Sequence, residues 1–208
     1  MKRIFLITCA VVLLGSLAIA QGGRGQGGRG GAGGIGLLMN ESVQKELKLT
    51  SSQISKVEAM MESQRGQRGG GGGGGQRGQG GQRGGQNEEA RAAAIKQLKS
   101  ILDDGQYNRF REISLQQAGG NALMQAEVAK ELNLTADQKS KVEGYSQDMR
   151  DEFRDMFQNG GGGDRQAMME EMQDIREHYS KKMLGVLNSD QEKKWKEMLG
   201  KPFKLVRA

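Results

Sequence analysis

One block of sequence occurs twice in this chain, and that repeat limits what the chain can fold into. VQKELKLTSSQISKVE begins at Val43, and VAKELNLTADQKSKVE begins 85 positions later at Val128. The same offset aligns SILDDGQYNRFREI, from Ser100, with GVLNSDQEKKWKEM, from Gly185. A unit of roughly 80 residues that returns in constant register is one structural element duplicated. Function is then to be sought in what two similar units do together.

The periodicity within the unit is helical. In the second copy Val142, Tyr145, Met149, Phe153 and Met156 recur at spacings of three and four, which predicts a helix from about Ala136 to Gln158. Met168, Met172, Ile175, Tyr179, Met183 and Val186 form a second stripe, on a helix from about Arg165 to Leu187. Two helices of ~35 Å joined by the glycine turn Asn159 to Asp164 must lie antiparallel as a hairpin. The first copy predicts the same plan with shorter arms, from about Ser51 to Gln64 and from about Asn87 to Leu102. Strand signals are absent, and the only proline, Pro202, follows the last helical stretch. The fold class expected is all-α, as two tandem helical-hairpin units.

Two stretches fall outside this pattern. Residues 21–36 and 65–86 are tracts dominated by Gly, Gln and Arg, with almost nothing able to enter a core, and are expected to be disordered. Lengthening a hairpin loop from about 6 to about 20 residues costs only ~1 kcal/mol of closure entropy, so the insert is tolerable without being useful. The tracts also explain the charge. The chain has 31 basic and 25 acidic residues; without Lys2, Arg3 and the six tract arginines (Arg24, Arg29, Arg65, Arg68, Arg77 and Arg83) it has 23 basic against 25 acidic. The folded part therefore presents no basic face.

At the N-terminus, Lys2 and Arg3 precede an apolar run and an Ala18-Ile19-Ala20 sequence, the pattern of a cleaved secretory signal peptide. Cys9, the only cysteine, lies inside that run, so the exported chain uses no disulfide. The expected organisation is a signal peptide (1–20), a Gly-rich tract (21–36), a first helical unit (37–118) carrying the insert 65–86, a second unit (119–203) and a C-terminal tail (204–208). Export places the protein in the periplasm, or outside the cell, with no stable membrane insertion after cleavage.

Four helix starts share a five-residue form. Leu49-Thr50-Ser51-Ser52-Gln53 and Leu134-Thr135-Ala136-Asp137-Gln138 read L-T-x-x-Q; Leu102-Asp103-Asp104-Gly105-Gln106 and Leu187-Asn188-Ser189-Asp190-Gln191 are looser versions. The Thr, Asp or Asn can cap the N3 amide while the Gln at N3 reaches back to the N-cap amide, a capping box in which each cap is worth ~1 kcal/mol.

L-T-x-x-Q starts about 50 residues apart in a short, exported, all-helical chain resemble the Spy/CpxP superfamily of periplasmic proteins, the LTxxQ-motif proteins. The resemblance covers residues 37–118 and 122–203, and departs from the family in the looser second motifs, the duplication and the Gly/Arg insert. Members are helical hairpins that pair into a thin curved cradle. Some hold unfolded proteins without ATP, some restrain envelope-stress signalling, and relatives bind divalent metals. The resemblance implies a pseudo-dimer within one chain. It also implies unfolded or partly folded envelope proteins, or one dedicated envelope protein, as the partner.

Other functions have less to stand on in the sequence. His178, the only histidine, has Asp174 and Glu171 nearby, a thin ligand set for a metal sensor, although Met168, Met169 and Met172 would suit Cu(I). Arg-Gly-Gly segments suggest phosphate contacts, but neither tract has an aromatic for stacking, so nucleic acid is not expected as a partner. One histidine and no exported cysteine leave no catalytic constellation, and neither an enzyme activity nor a cofactor is expected. A thin helical unit cannot bury all its Met, Phe and Tyr, so part of the stripe should stay exposed or seal a homodimer. Met149, Phe153, Met156, Met168 and Met172 are the candidate client-binding face; the competing reading places the same residues in the hairpin seam. Phe110, Trp195 and Met198 are expected in the core.

Overall fold

The computed structural model describes residues 34–69, 83–159 and 165–206. Among these residues 83% are helical and none is in a strand, so the chain is all-α. A 3-10 turn, Ile35–Met39, leads into α1 (Glu41–Glu46), α2 (Ser51–Gly69), α3 (Arg83–Ile101) and α4 (Asp104–Ala118). A second 3-10 turn, Gly119–Met124, then leads into α5 (Ala126–Glu131), α6 (Ala136–Asn159), α7 (Arg165–Leu184) and α8 (Ser189–Leu199). The order of elements thus repeats along with the sequence.

Local chemistry sets the short helices. Asn40 caps α1 by accepting from the Ser42 amide at 2.9 Å. The helix stops where Lys48 turns into the left-handed region at φ 52, and Leu49 donates back to the Gln44 carbonyl at 3.0 Å. Asn133, at φ 49, ends α5 the same way, with Leu134 donating to Ala129 at 2.9 Å. Both are left-handed helix stops built without glycine.

Several boundaries differ from the sequence expectation. Helix enters both ends of the 65–86 tract, because α2 runs to Gly69 and α3 starts at Arg83; residues 70–82, like 1–33, lie outside the described residues. Ile35 and Gly36, assigned to the first Gly-rich tract, belong to the opening 3-10 turn, and Ile35 packs on a core. The helix expected to reach Leu187 ends at Leu184, where the backbone tightens into a turn through Gly185.

The apolar side chains collect into two clusters, and the repeat places matching residues in each. Leu38, Val43, Leu47, Val57, Leu98, Leu102 and Phe110 are buried in the first; Leu123, Val128, Leu132, Val142, Met183, Leu187 and Trp195, their counterparts at the 85-residue offset, are buried in the second. Met198 packs half-buried on the second cluster.

The clusters exchange ends. α4 outlasts α8 by a turn, and its Leu115 is buried in the second cluster. Phe203 and Leu205, beyond α8, pack on the first cluster, so residues 204–206, read in the sequence as tail, belong to the packed structure. Gln116 secures this crossing: its Nε2 donates to the carbonyls of Leu199 (2.6 Å) and Lys201 (2.7 Å), and its Oε1 accepts from the Phe203 amide (2.8 Å). Arg109 adds ion pairs to Glu46 and Glu112, both at 2.7 Å, and donates to the Lys201 carbonyl at 2.8 Å. Partial burial works against that guanidinium's charge, yet Glu112 and Glu46 hold its pKa above the ordinary value.

Two glycines show how closely this body is packed. A Cβ on Gly120 would fall 2.5 Å from the Ser180 carbonyl and 2.8 Å from the Met183 Cβ, whereas one on Gly144, in α6, would meet nothing. Gly120→Ala should therefore destabilise by about 1–3 kcal/mol through overpacking. Gly144→Ala should stabilise by about 0.5–1 kcal/mol through helix propensity. Urea unfolding of the two variants checks both signs.

Candidate functional site

The four L-x-x-x-Q helix starts meet in pairs. Each N-cap side chain accepts from the amide three residues on: Thr50 from Gln53 (3.2 Å), Asp103 from Gln106 (2.8 Å), Thr135 from Gln138 (3.1 Å) and Asn188 from Gln191 (2.9 Å). Each Gln Oε1 in turn accepts from its own N-cap amide at 3.0 or 3.1 Å.

The second end of each glutamine amide makes the long-range connection. Gln53 Nε2 donates to Gln106 Oε1 at 2.7 Å and to the Ile101 carbonyl at 3.0 Å. Gln106 Nε2 donates back to Gln53 Oε1 at 3.3 Å and to the Leu47 carbonyl at 3.1 Å. The second half repeats the arrangement. Gln138 Nε2 reaches Gln191 Oε1 and the Val186 carbonyl, both at 2.7 Å; Gln191 Nε2 reaches Gln138 Oε1 at 3.0 Å and the Leu132 carbonyl at 3.1 Å. Each glutamine thus begins its own helix and satisfies a carbonyl at the end of a different one, where helices leave acceptors without partners.

This is why the position is Gln. A Glu could close the same capping box, but it has no donor for the opposite amide or carbonyl. The leucine of each motif sits beneath the brace: Leu102, Leu134 and Leu187 are buried, and Leu49 is half-buried against the first cluster. Sequence reasoning identified the helix starts but missed the brace. The available signal was that all four N3 positions hold Gln where Glu would cap equally well. Gln191→Glu should cost about 3 kcal/mol, from two lost bonds and a carbonyl left without its donor. Asn188→Asp, which preserves the cap, should cost less than about 0.5 kcal/mol. The deficit of Gln191→Glu relative to the parent should shrink near pH 3, where the protonated carboxyl regains a donor; urea titrations at pH 7 and pH 3 measure both.

The brace of the second half fixes the root of α6 to the end of α7, and these helices form an arm. Lys182 lies over the Tyr145 ring (5.8 Å) and Arg176 over the Phe153 ring (5.7 Å), so later residues of α6 meet earlier ones of α7 and the two are antiparallel. Val142, Ile175, Tyr179 and Met183 fill the base. Of the five candidate-face residues, Met149, Phe153 and Met156 are half-buried and pack against the second cluster, so they contribute to the seam. Met168 and Met172 are half-buried on α7. The open apolar surface of the arm comes instead from Phe157, 56% exposed, and Met169, 47% exposed.

At the arm's base, hydrogen bonding to the Glu152 carboxylate, burial of the residue and the negative charges of Glu152 and Asp148 push the pKa of Tyr179 up to about 12. An unfolded tyrosine ionises near pH 10. The folded state therefore keeps a proton that the unfolded state releases, and this contribution to stability, complete below pH 10, is lost as pH rises from 10 through 12. Spectrophotometric titration of tyrosinate should show a late step that Tyr179→Phe removes.

Asp174, Glu177, His178 and Lys181 line a shallow, open depression on α7, where Glu177 is already paired with Lys181 at 2.7 Å. Among the described residues no three His, Cys, Asp or Glu side chains are grouped so as to hold a metal ion, and no helix is long and apolar enough to cross a membrane. Comparison with protein-family models, with curated proteins and with solved structures returns no match.

Proposed function

We propose that this is a non-enzymatic protein of the cell envelope, exported by its first 20 residues, that holds partly unfolded proteins without ATP. The observation that carries the reading is the α6–α7 arm, whose outer part leaves Phe157 and Met169 open beside half-buried methionines. Methionine-rich surface adapts to varied apolar partners, and apolar surface that a fold leaves uncovered commonly marks a binding face. Charges of both signs flank it, among them Arg150, Asp151 and Arg154, favouring weak and reversible capture.

In this reading the two copies are tandem helical-hairpin units that form a pseudo-dimer within one chain, akin to the Spy/CpxP cradle. The matched cores and the two glutamine braces support it. The role that follows is holding chaperone or envelope-stress modulator.

The test is aggregation suppression. Residues 21–208, mixed without ATP with two unrelated unfolding proteins, should suppress light scattering of both near stoichiometric ratios. Suppression of neither, by a chain that circular dichroism shows to be helical, would replace general holding with binding of one dedicated envelope partner. Phe157→Ser should weaken the holding while leaving helicity intact.

A further inference from the structure

The segment that follows α8 lies on the first half in the manner of a bound peptide. We infer that its seat is a binding groove, which takes an extended segment of another protein with apolar residues two apart when the chain's own segment swings out. Phe203 and Leu205 pack half-buried on the first cluster, while Pro202, Lys204 and Val206 are exposed. That alternation is the period of extended chain. Among the described residues no backbone–backbone hydrogen bond involves residues 201–206.

Side chains of the first unit read the segment's backbone instead. Gln116 Oε1 accepts from the Phe203 amide at 2.8 Å. Asn40 Nδ2 donates to the Val206 carbonyl at 2.9 Å, and Ser42 Oγ accepts from the Val206 amide at 3.3 Å. Asn40 Oδ1 in turn accepts from the Ser42 amide and hydroxyl, at 2.9 and 2.5 Å, which aligns the two side chains at the start of α1. Main-chain bonds joined to seats for alternate side chains recognise extended peptides through few of their residues. What the groove asks of an occupant is therefore an apolar side chain at the places of Phe203 and Leu205.

The resting occupant is held lightly. Its bonds to Asn40 and Ser42 are exposed and neither apolar residue is fully buried, the features of a segment that opens while the body stays folded. Lys201 is the hinge, its carbonyl kept by Gln116 and Arg109. Tethered there, the segment competes at an effective concentration on the order of millimolar, so the intact chain admits only concentrated or tighter segments. The same segment of a second copy fits poorly, because its Phe203, two residues from an anchored Lys201, reaches only ~7 Å from its own body. At the 85-residue offset Asn40, Ser42 and Gln116 become Gln125, Glu127 and Lys201, and a lysine side chain has no acceptor to offer an amide, so the clamp is not repeated in the second half. None of these residues is in α6 or α7, so the groove stands apart from the holding activity proposed for that arm.

The experiment compares residues 21–208 in parent form with Phe203→Ser/Leu205→Ser, which frees the groove, using a labelled Pro-Phe-Lys-Leu-Val peptide and fluorescence anisotropy. The variant should bind the peptide at one site, at least about tenfold more tightly than the parent. Pro-Leu-Lys-Ile-Val should bind about as well, and Pro-Ser-Lys-Ser-Val at least about tenfold more weakly. Adding Asn40→Asp, which keeps the cap of α1 but removes the donor to the Val206 position, should weaken binding about fivefold. Should the freed variant lose helicity, hydrogen exchange in the parent decides. There the Phe203 and Val206 amides should exchange at least about a hundredfold faster than that of Ile113, and millimolar peptide should speed Val206 further.

No binding by a helical variant, equal binding by parent and variant, or equal binding of the Ser peptide would each overturn the inference. In the parent, exchange of Val206 as slow as that of Ile113, or unmoved by peptide, would do the same. Self-association of the variant without peptide, read by light scattering after size exclusion, would make the groove an interface between copies and overturn it as well.

Discussion

A side-chain amide can accept and donate at the same time, and the two glutamines of each pair use both capacities to tie together helices that are far apart in sequence. Gln53 and Gln106 face each other across the first half, Gln138 and Gln191 across the second. Each spends its oxygen on its own helix start and on its partner, and its nitrogen on its partner and on the end of another helix. Four helix termini converge at each pair, and backbone groups that would otherwise need water are satisfied within the protein. The leucines of the motifs pack into the cores, Leu102, Leu134 and Leu187 buried and Leu49 half-buried. α1 and α5, six residues each, are too short to persist alone, and are held by this arrangement together with their buried Val43 and Val128.

What could be read from the chain was what is local. The four helix starts depend on residues three apart, and the stripes Val142 to Met156 and Met168 to Val186 depend on a 3.6-residue period, so both are visible without knowledge of the fold. The brace was invisible because it pairs residues 53 apart, and nothing in either motif names its partner. The packing of the C-terminal end was invisible for a related reason: Phe203, the last residue of the second unit, and Leu205, in the tail, lie in an irregular stretch with no period to betray a packed face. For the α6–α7 arm, the periodic stripe led to the seam. Met149, Phe153 and Met156 are in register with the core and so pack against it. Phe157 is adjacent to its stripe and Met169 to Met168, one position off, and both are open.

Repeats usually invite the expectation of two equal sites, and here the copies have diverged unevenly. Where helices meet their roots, buried residue answers buried residue at a constant offset. Beyond the roots, the second copy has long amphipathic helices, while the first has a Gly/Arg/Gln stretch in the corresponding sequence. The repeat is thus matched in the buried residues of the two clusters and not in the sequence beyond them.

The crossing of ends has a consequence for how the chain is made. Asn40 donates to the carbonyl of Val206, 166 residues away, and the first cluster closes only over Phe203 and Leu205. A polypeptide delivered N-terminal end first has the rest of that cluster in hand long before its cover arrives. The second cluster, which takes Leu115 from α4, likewise needs Trp195, Met198 and Leu199. The first half is then finished by the last residues to emerge. A chain ending before Phe203 would leave that flank of the first cluster without its cover.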